Sequence, residues 1–212
     1  MVSLFLLRVY VMHIAILTFD GFNELDSFIA LAILNRIKKP GWKVSIASPS
    51  HYVTSMNGVD IQSHILLDEV PQTDVVLLGS GMQTRDVILD ASIMNQLVLD
   101  PSRQLIGAQC SGALVLATLG LLNDVPACTD LTTKPWVQDA GVNVLNQAFY
   151  AKGNIATAGG CLASQYLAAW VLARLEGLDA AKDAIHYVAP VGEKDKYVSA
   201  MLDTITPYLV VI

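Results

Sequence analysis

Nearly continuous hydrophobic runs alternate along this chain with stretches in which apolar residues recur at helical spacing. The first run, residues 9–18, is rich in β-branched residues and predicts a strand that is covered on both faces. In residues 23–39 apolar side chains recur every three or four positions until Pro40 and Gly41, which predicts a helix. The same patterns predict strands at 43–48, 74–81 and 104–110, helices at 84–100, 111–122 and 161–177, and short strands within 143–160.

Alternating strands and helices favour an α/β fold with a mainly parallel sheet and helices on both faces. We expect a single domain, residues 12–212, preceded by an extension, residues 1–11, so that Met12 would be the natural start of the fold. Ligands of such sheets bind beyond the carboxyl ends of the strands. The loops that follow residues 19, 79 and 109 should therefore gather at one edge and form the site.

Composition narrows the class of protein. Hydrophobic residues make up 53% of the 212 residues and charged residues 15%, which excludes a disordered chain. Nineteen Asp and Glu against 13 Lys and Arg give a net charge of −6, so no nucleic-acid partner is expected. Arg8 and His13 interrupt the apolar residues 2–19, so no membrane partner is expected. Three cysteines without a CxxC pair favour a reducing, cytoplasmic location.

Cys110 is the strongest candidate for chemistry. It lies in "GAQCSGALVLA", where a predicted strand turns directly into a helix among small residues, as in a nucleophile elbow. A helix N-terminus favours a thiolate, so we expect a lowered thiol pKa and faster alkylation at pH 6 than at Cys128 or Cys161, which are interpreted as packing residues. The alternative interpretation is that Cys110, too, is a buried and inert cysteine.

The order of four motifs resembles the ThiJ/PfpI superfamily, which has the class I glutamine amidotransferase-like fold. The motifs are "FDGFNELD", "DVVLLGSG", the cysteine elbow and "TAGG", and the resemblance runs from Met12 to Gly177. It implies a flavodoxin-like α/β sandwich and a homodimer. Within the superfamily, "LD" and the hydroxyl residue after the cysteine are similar to the branch that contains isonitrile hydratase.

The resemblance also implies the partners of Cys110. Asp26 matches the carboxylate that the family places beside its cysteine, with Glu24 as the competing candidate. Ser111 follows the cysteine and would help to orient the substrate, and the amides of Gly81 and Ser111 would form an oxyanion hole.

One further position departs from the family pattern. Asp130 stands where many relatives carry a histidine, and we keep it as a secondary candidate. The departure weakens a reading of this chain as a cysteine–histidine protease or deglycase.

These assignments predict a cysteine-dependent hydratase or hydrolase that acts on a small electrophilic carbon substrate, with Cys110 as nucleophile and Asp26 as general acid and base. Two other functions stay open: a redox sensor that acts through Cys110, and a ligand-binding regulatory domain without catalysis. No HExxH, GxGxxG or GxxxxGK[ST] motif and no Cys/His ligand set is present in the sequence, so no metal and no cofactor are expected.

We expect the protein to be a homodimer of about twice 22.8 kDa. The reasons are the family resemblance and the high hydrophobic content, which leaves apolar surface to be covered. Light scattering at micromolar concentration measures the mass directly, and a monomer would contradict the expectation.

Overall fold

The computed structural model describes residues 11–209, so the predicted extension, residues 1–11, lies outside the described residues except for Val11. Nine strands lie in the described part of the chain. They are β1 (Met12–Leu17), β2 (Trp42–Ser48), β3 (Tyr52–Thr54), β4 (Asp60–Gln62), β5 (Ile65–Leu66), β6 (Val75–Leu78), β7 (Leu105–Gln109), β8 (Phe149–Lys152) and β9 (Ile155–Ala158).

Eight α-helices lie between and after these strands within residues 11–209. They are α1 (Glu24–Leu34), α2 (Thr84–Val87), α3 (Ala91–Met94), α4 (Gly112–Thr118), α5 (Lys134–Asp139), α6 (Ser164–Glu176), α7 (Leu178–Val188) and α8 (Lys194–Ile205). Within the described range, none of the helices combines the length and the hydrophobicity that a bilayer crossing requires.

Seven strands form the central sheet in the order β5-β2-β1-β6-β7-β9-β8. Every neighbouring pair is parallel except β8 and β9, which confirms the predicted mainly parallel α/β fold. The carboxyl ends of β1 and β6 meet at one edge, where the Asn23 amide donates a hydrogen bond to the Ser80 carbonyl at 2.8 Å. The loops after the first and third predicted strands are thereby joined beside Cys110.

Each face of the sheet has its own hydrophobic core, which explains why the central strands are nearly continuous apolar runs. On β1, Ile14 and Ile16 belong to the core that contains Trp170 of α6. Ala15 and Leu17 alternate with them and belong to the opposite core, together with α4. Helices therefore cover both faces, as the alternating pattern predicts.

The predicted helix over residues 84–100 is wrong, since the structure has two short helices, α2 and α3, in its place. Asp90 separates them, and its side chain accepts a hydrogen bond from the Ser92 amide at 2.8 Å. An aspartate that caps the backbone in this way favours a new helix start over a continuous helix. The structure also adds the β3–β4 hairpin and helices α5, α7 and α8, which the sequence analysis does not predict.

Gly112 sets how closely α4 approaches the sheet. A Cβ atom at this position would lie 2.7 Å from both the Leu78 and the Gly79 carbonyl oxygens. Backbone atoms cannot yield without moving the end of β6, so a residue without a side chain is required here. The contact fixes Cys110 and Ser111, which immediately precede α4, at the carboxyl edge of the sheet.

Gly112→Ala should lower the free energy of unfolding by about 1–3 kcal/mol, because the added methyl group overpacks a rigid contact. The matched control is Gly153→Asn, at a turn where φ is +61° and no atom lies within 4 Å of the added Cβ. Asparagine tolerates that conformation, so the control should lose no more than about 1 kcal/mol. Urea denaturation measures both variants, and equal midpoints would contradict the expectation.

Candidate active site

The backbone at Cys110 has an uncommon conformation. Its φ is +45°, and it is the only non-glycine residue with positive φ among residues 11–209. The Cys110 amide donates to the Ala158 carbonyl at 2.8 Å, and the Thr129 hydroxyl donates to the Cys110 carbonyl at 2.7 Å. Hydrogen bonds from both sides thus hold the residue in a conformation that L-amino acids rarely adopt, as at many functional sites.

Asp26 lies beside Cys110. It occupies the first turn of α1 and is only 2% exposed. One carboxylate oxygen, Oδ2, accepts a hydrogen bond from the Ser80 hydroxyl, while Oδ1 has no hydrogen-bond partner among the described residues. A carboxylate oxygen of Asp26 lies within 4.8 Å of the Sγ atoms of both Cys110 and Cys161.

Cys161 is the site residue that the sequence analysis missed. It begins the short 3₁₀ turn Cys161–Ala163 after β9, and its Sγ accepts a hydrogen bond from Asn23 Nδ2 at 3.2 Å. Its position after a strand of the same parallel sheet is the signal that could have placed it at this edge. Cys128, by contrast, is fully buried and belongs to neither the thiol–carboxylate cluster nor the cavity beside it.

Burial raises the pKa of the Cys110 thiol, and the charge of Asp26 raises it further. The predicted lowering of this pKa is therefore wrong. A helix terminus is worth about 0.3–1 kcal/mol, less than the ~1.4 kcal/mol of one pKa unit, whereas burial beside a like charge shifts a pKa by several units. Cys110 consequently holds its proton at neutral pH.

Burial also raises the pKa of Asp26. The Ser80 hydroxyl and the two neighbouring thiols oppose this rise, and the charge of Asp130 adds to it. The pKa of Cys161 is raised by burial and by the Asp26 charge. Burial thus raises the pKa of all three groups, so the two thiols keep their protons next to Asp26 at neutral pH.

Ser111 engages the amide that the sequence analysis assigns to an oxyanion hole. The Gly81 amide donates to Ser111 Oγ at 3.1 Å, and the hydroxyls of Ser111 and Thr84 lie 2.7 Å apart. An anionic substrate oxygen would have to replace Ser111 Oγ as the acceptor of the Gly81 amide. The Ser111 hydroxyl is likewise engaged, by Gly81 and Thr84, so a ligand would have to replace one of these contacts to bind it.

Glu24, the competing carboxylate, faces a different part of the molecule. It accepts hydrogen bonds from the Ser55 hydroxyl and, at 2.9 Å, from Asn57 Nδ2. The hydrogen bond from Ser55 is the main cause that lowers its pKa. Glu24 belongs neither to the cavity at Cys110 nor to the thiol–carboxylate cluster, so Asp26 is the carboxylate that lies close to the cysteine.

Asp130 lines the cavity, but its side chain has a structural role. Its Oδ1 accepts hydrogen bonds from the backbone amides of Thr132 and Thr133, both at 2.9 Å. It thereby shapes the turn that precedes α5. It also adds negative charge to the cavity, which is one reason why the pKa of Asp26 is raised.

A cavity of about 410 Å³ opens beside Cys110. It is large enough for a small organic molecule. Its wall combines polar groups with the apolar side chains of Met56, Met82 and Trp136. The lining residues are Asn23, Met56, Ser80, Gly81, Met82, Cys110, Ser111, Asp130, Thr132, Thr133, Trp136 and Cys161.

Comparison with known proteins identifies the family of this chain and solved structures with a similar fold. The model of the DJ-1/PfpI family matches residues 12–174. The fold is similar to a ThiJ/PfpI family protein from Pseudomonas syringae (TM-score 0.77, 20% identity, 94% of this chain and 88% of that one). It is also similar to Drosophila melanogaster DJ-1beta (TM-score 0.73, 22% identity, 84% and 97%) and to oxidized Toxoplasma gondii DJ-1 (TM-score 0.72, 19% identity, 84% and 98%). No protein of curated function matches the chain in sequence.

Asp26→Asn should speed the alkylation of Cys110 at a given pH. Removing the negative charge lowers the thiol pKa, and a neighbouring charge is worth about 1–3 units, or about tenfold or more in thiolate. Glu24→Gln, the matched control, should leave the rate unchanged. Peptide mapping after iodoacetamide treatment of reduced protein in EDTA gives the pH profile of alkylation for each cysteine. Faster alkylation of Cys110 in Glu24→Gln than in wild type would show that Asp26 is the wrong carboxylate.

Proposed function

The chain belongs to the DJ-1/PfpI family, and we propose that it is a cysteine-dependent hydratase or hydrolase that acts on a small electrophilic carbon, in the manner of isonitrile hydratase. One observation carries the proposal. A buried carboxylate lies within 4.8 Å of the sulfur of an elbow cysteine, and that cysteine lines a cavity. This is the arrangement that nucleophilic catalysis with proton transfer requires.

Attack would begin from the protonated thiol, because the pKa of Cys110 is raised. As Cys110 Sγ forms a bond to the substrate carbon, the thiol proton passes to Asp26 and from there to the substrate. For an isonitrile, R–N≡C, addition of the S–H group across the terminal carbon gives the thioimidate R–N=CH–S–Cys110. The raised pKa of Asp26 suits a group that must both accept and return a proton.

Water then completes the reaction. Asp26 accepts a proton from a water molecule that adds to the thioimidate carbon, and the imino nitrogen takes up a proton. Collapse of the adduct breaks the carbon–sulfur bond and returns the proton to Cys110. The products are an N-substituted formamide and the free thiol, so the net reaction consumes one water molecule.

The wall of the cavity supports a small and uncharged substrate. Met56, Met82 and Trp136 supply apolar surface, and the volume is about 410 Å³. Asp130 would repel an anion, and among residues 11–209 no lysine or arginine lines the cavity. A neutral carbon electrophile therefore fits better than a carboxylate or a phosphate.

A redox function of Cys110 is the second candidate. One structural relative is described as an oxidized DJ-1, and the carboxylate beside Cys110 could accept a proton from a sulfinic acid formed with peroxide. A regulatory domain that binds a small ligand without turnover is the third. For all three functions we propose a cytoplasmic homodimer.

Turnover of a panel of small isonitriles tests the proposal. Cys110→Ala should abolish formamide production, and Asp26→Asn should lower kcat/KM by about 10²–10⁴, the usual worth of general acid–base catalysis. Glu24→Gln should retain the wild-type rate. If wild-type protein in EDTA turns over no isonitrile while peroxide adds two oxygen atoms to Cys110, the redox function replaces the enzymatic one.

A further inference from the structure

Three groups that can ligate a metal converge at the carboxyl edge of the sheet from three separate segments. Asp26 comes from α1, Cys110 from the turn after β7, and Cys161 from the turn after β9. One ligand atom of each group, the two Sγ atoms and a carboxylate oxygen, lies within 4.8 Å of the others. The proposed chemistry uses Cys110 and Asp26 and assigns no role to Cys161.

Every member of this cluster is oriented by an uncharged hydrogen-bond donor. Such donors leave the ligand atom free to carry negative charge, and metal sites regularly contain outer partners of this kind. The pairs are Ser80 Oγ to Asp26 Oδ2, Asn23 Nδ2 to Cys161 Sγ at 3.2 Å, and Gln109 Nε2 to Cys110 Sγ at 3.5 Å.

The second oxygen of Asp26 is an independent sign of a ligand. Asp26 is 98% buried, and its Oδ1 has no hydrogen-bond partner in the described part of the chain. The neighbouring thiols lower the pKa of Asp26 as donors, but a thiol is a weak donor. The lost hydration of this buried oxygen is therefore poorly compensated, and a cation would satisfy it better. The carboxyl group lies next to the two sulfur atoms, where a cation would reach it.

We propose that Asp26, Cys110 and Cys161 bind one Zn²⁺ ion, with the fourth position open to the cavity. Tetrahedral zinc has Zn–S bonds of about 2.3 Å and Zn–O bonds of about 2.0–2.2 Å, which places its ligand atoms roughly 3.5–3.8 Å apart. The observed atoms need to approach by about 1.0–1.3 Å at most, and the partly exposed Cys161 can supply that movement by rotating its side chain.

The donor set favours zinc over other common ions. Two thiolates exclude Mg²⁺ and Ca²⁺, which prefer oxygen, and a carboxylate beside them suits Zn²⁺ better than Cu(I). A dication also relieves the repulsion between Asp26 and the two thiolates. Binding displaces the protons of both thiols into solvent, so the apparent affinity should rise with pH.

Zinc and the proposed nucleophilic chemistry exclude each other, since both use the Cys110 sulfur. The zinc site does not depend on the proposed function, because it follows from the cluster alone. A bound ion would protect Cys110 from alkylation and would block turnover. The sequence analysis predicts no metal because no local ligand motif exists, and this site arises only when three distant segments meet.

Competition with a chromophoric zinc chelator measures the affinity of the fully reduced wild-type protein for Zn²⁺. We expect one ion per chain. Asn23→Ser keeps a good cap for α1 but removes the donor to Cys161, and it should weaken binding by about 10–100-fold. Cys161→Ser should weaken it further. The matched controls are Cys128→Ala, which also removes one thiol, and Glu24→Gln, which also removes one carboxylate, and both should bind as wild type.

Cobalt(II) substitution gives a second readout of the same ligands. We expect a thiolate-to-cobalt absorption band in wild-type protein that falls by about half in Cys161→Ser and is retained in Cys128→Ala. The absence of zinc binding by reduced wild-type protein, or equal affinities of wild type and Cys161→Ser, would overturn the proposal. If the protein binds zinc but turns over no isonitrile, only the proposed function is contradicted. If it turns over isonitriles but does not bind zinc, only the zinc site is contradicted.

Discussion

The burial of Asp26 against the Cys110 thiol is the interaction on which the rest of the site depends. A carboxylate that is 2% exposed resists ionisation, and a thiol beside it resists ionisation even more. Burial therefore raises both pKa values, so the Cys110 thiol keeps its proton at neutral pH. Such a pair can deliver a proton with the nucleophile, and a metal ion that binds to it would displace its protons into solvent.

The fold maintains this contact through backbone constraints. Cys110 is held at a φ of +45° by hydrogen bonds to Ala158 and Thr129, so its side chain cannot withdraw into the core. Gly112 allows the following helix to lie directly on the end of β6. Asp26 is held by the hydroxyl of Ser80, which comes from the loop after that strand. The ends of β6, β7 and β9 thus all contribute to the placement of the Cys110 thiol and the Asp26 carboxyl group.

The sequence predicts the sheet and the elbow well because both depend on local patterns. Continuous apolar runs identify β1, β6 and β7, and the small residues around Cys110 identify the turn. The family resemblance supplies Asp26, whose position no local pattern reveals. The helix at 84–100 fails because the Asp90 cap outweighs a weak periodicity.

The rest of the site depends on contacts between distant segments. Asn23 and Cys161 are 138 positions apart, and no periodicity links them. The sequence predicts the wrong direction for the Cys110 pKa shift. The helix N-terminus, which lowers a thiol pKa, can be recognised from the local sequence, whereas the burial that raises this pKa depends on the packed environment. The engagement of the Gly81 amide by Ser111 likewise depends on side-chain placement after folding.

The free energy of unfolding of wild type and Asp26→Asn, measured between about pH 3 and pH 8, tests the central claim most directly. An acid whose pKa is raised on folding stabilises the protein below its unfolded pKa of 3.8, and that contribution is lost as the pH rises through the folded pKa. The account predicts that the free energy of unfolding of Asp26→Asn increases relative to wild type as the pH rises from the unfolded to the folded pKa of Asp26, and that the difference then stays constant. A wild-type protein that gains stability relative to Asp26→Asn over the same range would contradict it.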